Sequence, residues 1–202
     1  MNPRDIHAVL FDMDGTLVDS DAAVERAWTT WADEYGVDAA QVLAVAHGSP
    51  AASVVARVRP DLELARRAEA ALRQHELQYD DLVDVVPTPG AHELLALLER
   101  RGIPWAVVTS ADQRLAEARL GAAGIEAKVL VTIEDVAHGK PDPEGYLRGA
   151  ELLGVRPEHC LVVEDAEVGL AAGKAAGAYT AGLKGLQGDL ALTDLHQLAA
   201  LL

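Results

Sequence analysis

The sequence predicts an α/β fold, a parallel β-sheet with helices on both faces and a block of helices inserted after the first strand. Three observations lead there. Short apolar runs alternate with helical patterns along most of the chain. Each run is brief and rich in β-branched residues or Leu, as strands buried in a parallel sheet are. One segment, from about Asp19 to Pro87, breaks the alternation and reads as helices only.

The strands follow in order. Ala8–Phe11 (AVLF) is the first, Trp105–Val108 (WAVV) the second, Lys128–Val131 (KVLV) the third, Cys160–Val163 (CLVV) the fourth and Ala178–Ala181 the fifth. Between them, 91–101 sets Leu94, Leu95 and Leu98 on one face and stops before Gly102, a helix C-terminal signal. Residues 112–123, 144–153 and 166–176 stop before Gly124, Gly154 and Gly177, and 193–202 closes the chain. Strand and helix in alternation mean a sheet covered on both sides.

Within the helical block the expected helices are 21–35, 39–46, 51–58 and 62–82, separated by Gly36, Gly48-Ser49-Pro50 and Pro60. The stretch from Val85 to Gly90 is the return linker. The expected division is an α/β unit of residues 1–18 and 88–202 and a helical unit of residues 19–87.

Length and composition narrow the function. At 202 residues and 50% hydrophobic, the chain suits a core domain with a smaller insert. Its net charge of −15, with no run of Lys or Arg, disfavours nucleic acid and anionic membrane surfaces as partners. The lone Cys160 excludes an internal disulfide and reads as a small buried hydrophobe. No apolar stretch approaches a membrane span, and the first residues lack the apolar core of a signal peptide. The cytoplasm is the expected location and a monomer the expected state.

Four short motifs carry chemistry, each after a different predicted strand. Asp12-Met13-Asp14-Gly15-Thr16 follows the first. Two carboxylates two residues apart suit attack on phosphorus and proton handling beside a metal. A calcium loop would need a carboxylate at its twelfth position, which here is Ala23. Thr109-Ser110, after the second strand, offers hydroxyls and backbone N–H groups for phosphate; alone, Ser110 or Asp112 would be an ordinary helix cap. Lys140 lies in Gly139-Lys140-Pro141-Asp142-Pro143, where a rigidly held cation can screen a carboxylate from a phosphate dianion. Glu164-Asp165 ends the fourth strand, and adjacent acids there are costly to pack without a cation. Magnesium takes few carboxylates and keeps waters.

With these motifs the chain resembles the haloacid dehalogenase-like hydrolases, in the sugar-phosphatase and phosphomutase branch with a helical cap. The resemblance rests on 12–20 (DMDGTLVDS), Val108-Thr109-Ser110, Gly139-Lys140-Pro141-x-Pro143 and the run from Val163-Glu164-Asp165 to Gly177. It implies a three-layer, Rossmann-like core with a four-helix cap at 19–87, and a Mg²⁺ cofactor. It makes Asp12 the nucleophile and Asp14 the general acid/base. Thr109 and Lys140 would hold the phosphoryl group, assisted by Thr16 and Ser110. Asp12, the Asp14 carbonyl, Asp165 and Glu164 would form the metal site.

Within the branch, the metal-free dehalogenases lack the second aspartate, which is present here as Asp14. The β-phosphoglucomutases carry a cap histidine where this chain has Val24. The sugar- and polyol-phosphate phosphatases are most similar, sharing His47-Gly48 and the Trp105-to-Ser110 run. They place an arginine where this chain has Pro50, so Arg57 or Arg59 would take over that cap contact, with His47 as a second substrate contact. The expected substrate is a small phosphate ester. A phosphomutase, or a binding protein retaining the fold, is the alternative.

Overall fold

A computed structural model describes residues 5–46 and 49–202. The chain forms two compact units, Met1–Asp19 with Val86–Leu202, and Ser20–Val85. It opens with β1 (Ala8–Phe11) and the two-residue β2 (Val18–Asp19).

The helical unit follows, with α1 (Asp21–Tyr35), α2 (Ala39–Ala46), α3 (Ala51–Val58) and α4 (Leu64–Asp80). The buried face of α1 is Ala23, Ala27, Trp28, Trp31 and Ala32, at helical spacing. Trp31 is fully buried, and its indole N–H donates to Ala70 O at 2.8 Å. Gly36 ends α1 in the left-handed region at φ 62°, where glycine carries no Cβ penalty. The fourth helix starts two residues later and stops two residues earlier than the sequence suggests. Before it, Arg67 donates to Leu62 O and Pro60 O and holds those residues in a turn. After it, Asp81 and Asp84 both turn to Arg26 of α1.

The chain then continues through β3 (Val86–Pro87), α5 (Ala91–Arg101), β4 (Trp105–Val108), α6 (Gln113–Ala122), β5 (Leu130–Val131), α7 (Glu144–Leu153), β6 (Cys160–Glu164), α8 (Glu167–Ala175), β7 (Tyr179–Gly182), β8 (Leu190–Ala191) and α9 (Leu195–Leu201). Single 3-10 turns sit at Ile133–Asp135 and Pro157–His159. Six strands form one sheet in the order β5-β4-β1-β6-β7-β8, all parallel. On one face Leu10, Ala106, Val108, Val162, Tyr146 and Ala150 share a core. The alternate residues Val9, Phe11, Val107, Leu161 and Val163 are also buried, so both faces are covered. Each large apolar side chain buried this way contributes about 1.5–3 kcal/mol.

Five of the elements differ from expectation for local reasons. The antiparallel β2–β3 pair and β8 are two residues long, too short to show alternation. The helix expected from Asp112 begins at Gln113 because the Asp112 carboxylate caps it, accepting from Leu115 N at 2.9 Å. Asp194 does the same for α9, accepting from Gln197 N at 3.0 Å, so that helix starts at Leu195. No helix among the described residues is long and apolar enough to cross a membrane.

The strand order reverses at β1, which lies between β4 and β6. In open parallel sheets such a reversal opens a crevice at the carboxyl ends of the strands. Asp12, Thr109 and Asp165 are the first residues beyond those three ends.

Candidate active site

Asp12 N–H donates to Val163 O at 3.0 Å, which keeps Asp12 in line beside β6 after β1 ends. The loop then tightens, with the N–H groups of Thr16, Leu17 and Val18 all directed at Met13 O. Gly15 has φ +78°, and a Cβ there would fall 2.0 Å from Asp165 Oδ2. Only glycine lets this loop lie against Asp165.

Lys140 is the hub of the site. Its ammonium lies 2.5 Å from Asp12 Oδ1, 2.7 Å from Glu164 Oε1 and 3.0 Å from Val108 O. These contacts occupy its three donors. Burial works against the charged ammonium, but Asp12 and Glu164 outweigh it and hold Lys140 above its ordinary value. Burial, followed by the charge of Glu164, pushes the Asp12 carboxyl up, while Lys140 pulls it down.

Glu164 is almost wholly buried. Its Oε1 also accepts from the Tyr146 hydroxyl at 2.7 Å, and its Oε2 accepts from the N–H groups of Asp165 and Ala166 at 3.1 and 3.2 Å. A Cβ on Gly169 would fall 1.7 Å from Glu164 Oε1, so α8 makes room for this carboxylate by lacking a side chain there. Burial, then Glu164, keeps the Tyr146 hydroxyl well above its usual value and therefore protonated. Glu164, expected to serve the metal, thus also anchors Lys140.

Asp14 is held from α6. Arg119 Nη1 donates to Asp14 Oδ2 at 2.7 Å, with the Arg side chain 3% and the Asp side chain 31% exposed. Thr109 is buried, and its hydroxyl oxygen accepts from Ala111 N at 3.0 Å; Ser110 is exposed. Thr16, expected near phosphate, is fully buried inside the loop, where its carbonyl accepts from Thr88. Arg57 is exposed in the last turn of α3, in the helical unit. His47 lies outside the described residues. Cys160 is buried, and burial, then Glu158, pushes its thiol up to about 11, so it stays an inert thiol.

The site therefore unites Asp12, Asp14, Thr109, Lys140, Glu164 and Asp165 at the carboxyl ends of β1, β4 and β6. Sequence reasoning missed Arg119 and Tyr146 as site residues. The signal for Arg119 was present: a cation between Leu115, Ala116 and Leu120 on the buried face of its helix. Tyr146 reads as core by burial alone, and only the fold brings its hydroxyl to Glu164.

The family model for haloacid dehalogenase-like hydrolases matches residues 6–177. The chain belongs to the haloacid dehalogenase-like hydrolases. Among relatives within this family, Hexitol phosphatase A of Escherichia coli is 44% identical over 84% of this chain and 79% of its own. The 2-deoxyglucose-6-phosphate phosphatase 1 of Saccharomyces cerevisiae is 38% identical over 86% of this chain and 78% of its own. A solved structure of β-phosphoglucomutase from Clostridium difficile superposes with a TM-score of 0.84 at 20% identity, covering 96% of this chain and 93% of that one; at that identity the likeness is one of fold.

The haloacid dehalogenase-like fold implies Mg²⁺, and the residues present bear on whether it can be held. Asp12, Glu164 and Asp165 each bring a carboxylate oxygen within 4.8 Å of the others. An all-oxygen donor set of few carboxylates matches what Mg²⁺ takes. After burial, the charges of Glu164 and Asp165 also push the Asp12 carboxyl up, a repulsion that a cation would relieve. The residues fit the ion.

Proposed function

We propose that this chain is a Mg²⁺-dependent phosphatase that hydrolyses a sugar or polyol phosphate through a phospho-aspartate on Asp12. The observation that carries the reading is the pairing at the end of β1: Asp12 beside the buried Lys140 at 2.5 Å, with Asp14 two residues on and gripped by Arg119.

In the first step an Asp12 carboxylate oxygen attacks phosphorus in line, and the bond from phosphorus to the ester oxygen breaks. Asp14 gives its proton to the departing alkoxide, releasing the alcohol. In the second step Asp14 takes a proton from water as that water attacks the phosphorus of the acyl phosphate. Asp12 leaves as a carboxylate, and inorganic phosphate is formed. Such transfers depend mainly on positioning and on charge stabilisation at the equatorial oxygens. Lys140 supplies a fixed positive charge there, and the Thr109 hydroxyl and Ser110 backbone N–H supply hydrogen bonds. When bound at Asp12, Asp165, the Asp14 carbonyl and Glu164 or waters it holds, Mg²⁺ would neutralise charge on the phosphoryl group. Residues 20–85 are assigned as the cap that sets substrate choice, Arg57 and His47 being its candidate contacts.

The names of the relatives support a sugar or polyol phosphate as substrate. The fold likeness to a phosphomutase carries no argument for that activity. The test is phosphate release from hexitol phosphates, 2-deoxyglucose 6-phosphate, glycerol phosphate and nucleoside monophosphates, with Mg²⁺ and with EDTA. Mg²⁺-dependent release favouring a few sugar or polyol phosphates is expected. Absence of release from every ester by the folded protein would sink the reading.

A further inference from the structure

The carboxylates at the strand ends are matched with cations. Asp12 and Glu164 share Lys140, Asp14 takes Arg119, and Asp165 Oδ2 lies 3.1 Å from Lys184 Nζ. The three cations are held differently. Lys140 and Arg119 have side chains only 10% and 3% exposed, whereas that of Lys184 is 45% exposed.

The backbone around Lys184 is built to put it there. Lys184 has φ 51°, the only positive φ at a non-glycine among the described residues, and Gly185 follows at φ 84°. Leu186 N–H donates to Leu183 O at 2.9 Å and closes the turn. Two successive positive φ values at its centre make it a turn that favours Gly, Asn or Asp, and a lysine there is strained. The turn is fastened to the end of β6, next to Asp165, because Leu183 N–H donates to Glu164 O at 2.7 Å. On the other side, a Cβ on Gly15 would meet both Asp165 Oδ2 at 2.0 Å and Lys184 Nζ at 2.7 Å. The first-strand loop thus packs against the Lys184–Asp165 pair.

We propose that Lys184 is a counter-cation of Asp165 that competes with the divalent metal, so that this lysine sets the metal affinity of the site. The inference rests on the metal reading above. An ammonium held at hydrogen-bond distance from a carboxylate occupies one of its lone pairs and repels a divalent cation brought to the same group, so it weakens that cation's binding. Lys184 can swing outward into solvent. The penalty includes breaking this partly exposed pair and the screened repulsion that remains between the two cations.

Isothermal titration of metal-stripped protein with MgCl₂ tests this. Lys184→Met keeps the stem and removes the charge, and Lys184→Gly also relieves the positive φ. Each should bind Mg²⁺ about fivefold more tightly than wild type, the order expected for losing one such competing pair. Lys184→Arg should bind as wild type does, and Asp165→Asn should bind far more weakly. Unchanged or weaker Mg²⁺ binding in both uncharged variants, with Asp165 still needed, would overturn the role of Lys184 and leave the metal reading standing. Absence of Mg²⁺ binding in wild type and in the uncharged variants would overturn both.

Discussion

Arg119 and Asp14, 105 residues apart, meet at 2.7 Å, and the arginine is the more deeply buried partner. A guanidinium removed from water is tolerated only where a carboxylate answers it. Arg119 is therefore a positioning residue for Asp14. Arg119→Met should lower kcat about 100-fold, the lower end of what a general acid/base contributes. The loss should be larger for an alkyl phosphate than for p-nitrophenyl phosphate, whose leaving group needs no proton. Arg119→Lys should restore part of it. Equal losses on both substrates would reduce Arg119 to a packing residue.

Gly169 and Tyr146 act on Lys140 through Glu164. A Cβ at position 169 falls on Glu164 Oε1, so Gly169→Ala must displace a buried carboxylate. It should destabilise the fold by about 1–3 kcal/mol and remove most activity. Tyr146→Phe keeps the volume and removes one hydrogen bond to a charged group, costing about 1.5–3 kcal/mol, with a smaller loss of activity. Thermal unfolding and steady-state kinetics on both variants check the order.

Asp12→Asn should abolish turnover and raise stability in EDTA. Burial and then Glu164 raise the folded-state carboxyl above its unfolded value of 3.8. A carboxyl raised in this way binds its proton more tightly in the folded state, so stability is lost as pH rises from the unfolded value through the folded one. At neutral pH the charge at Asp12 opposes folding, and asparagine removes it. Each kcal/mol so relieved raises Tm by about 2–4 °C. An unchanged or lower Tm at neutral pH would contradict this.

The helical unit should lose stability in acid. Hydrogen bonds from arginines hold four carboxyls low: Arg26 on Asp81 and Asp84, Arg73 on Glu34, and Arg59 on Asp61, the last at about 2. A depressed carboxyl contributes stability above its unfolded value and loses it as pH falls through the folded one. Tm should therefore drop between about pH 4.5 and about pH 2. Arg26→Gln should make the drop shallower, and high salt should do the same because these groups are exposed.

The α/β order and the residues after β1, β4 and β6 were legible because each rests on a local pattern. AVLF before Asp12 and CLVV before Glu164 are strand-length apolar runs ending in acids. The Asp112 and Asp194 caps shifted helix starts by one or two residues, since a capping residue and a first helical residue read alike. The two-residue strands β2, β3 and β8 carry too few side chains to show a period. Arg119, Tyr146 and Lys184 were missed because their partners, Asp14, Glu164 and Asp165, are brought to them only by tertiary structure. Thr16 was placed near phosphate by its motif, yet its loop turns it fully inward.

The central claim is a covalent phosphoryl group on Asp12, and Asp14→Asn with p-nitrophenyl phosphate isolates it. That substrate needs no acid to leave, while hydrolysis of the acyl phosphate has lost its base, so the intermediate accumulates. Rapid mixing with Mg²⁺, acid quench, borohydride reduction and peptide mass spectrometry read out the result. A burst of about one p-nitrophenol per chain, with homoserine formed from Asp12, is predicted on the logic of covalent catalysis. Steady release without a burst, or a label on any other residue, would contradict the account.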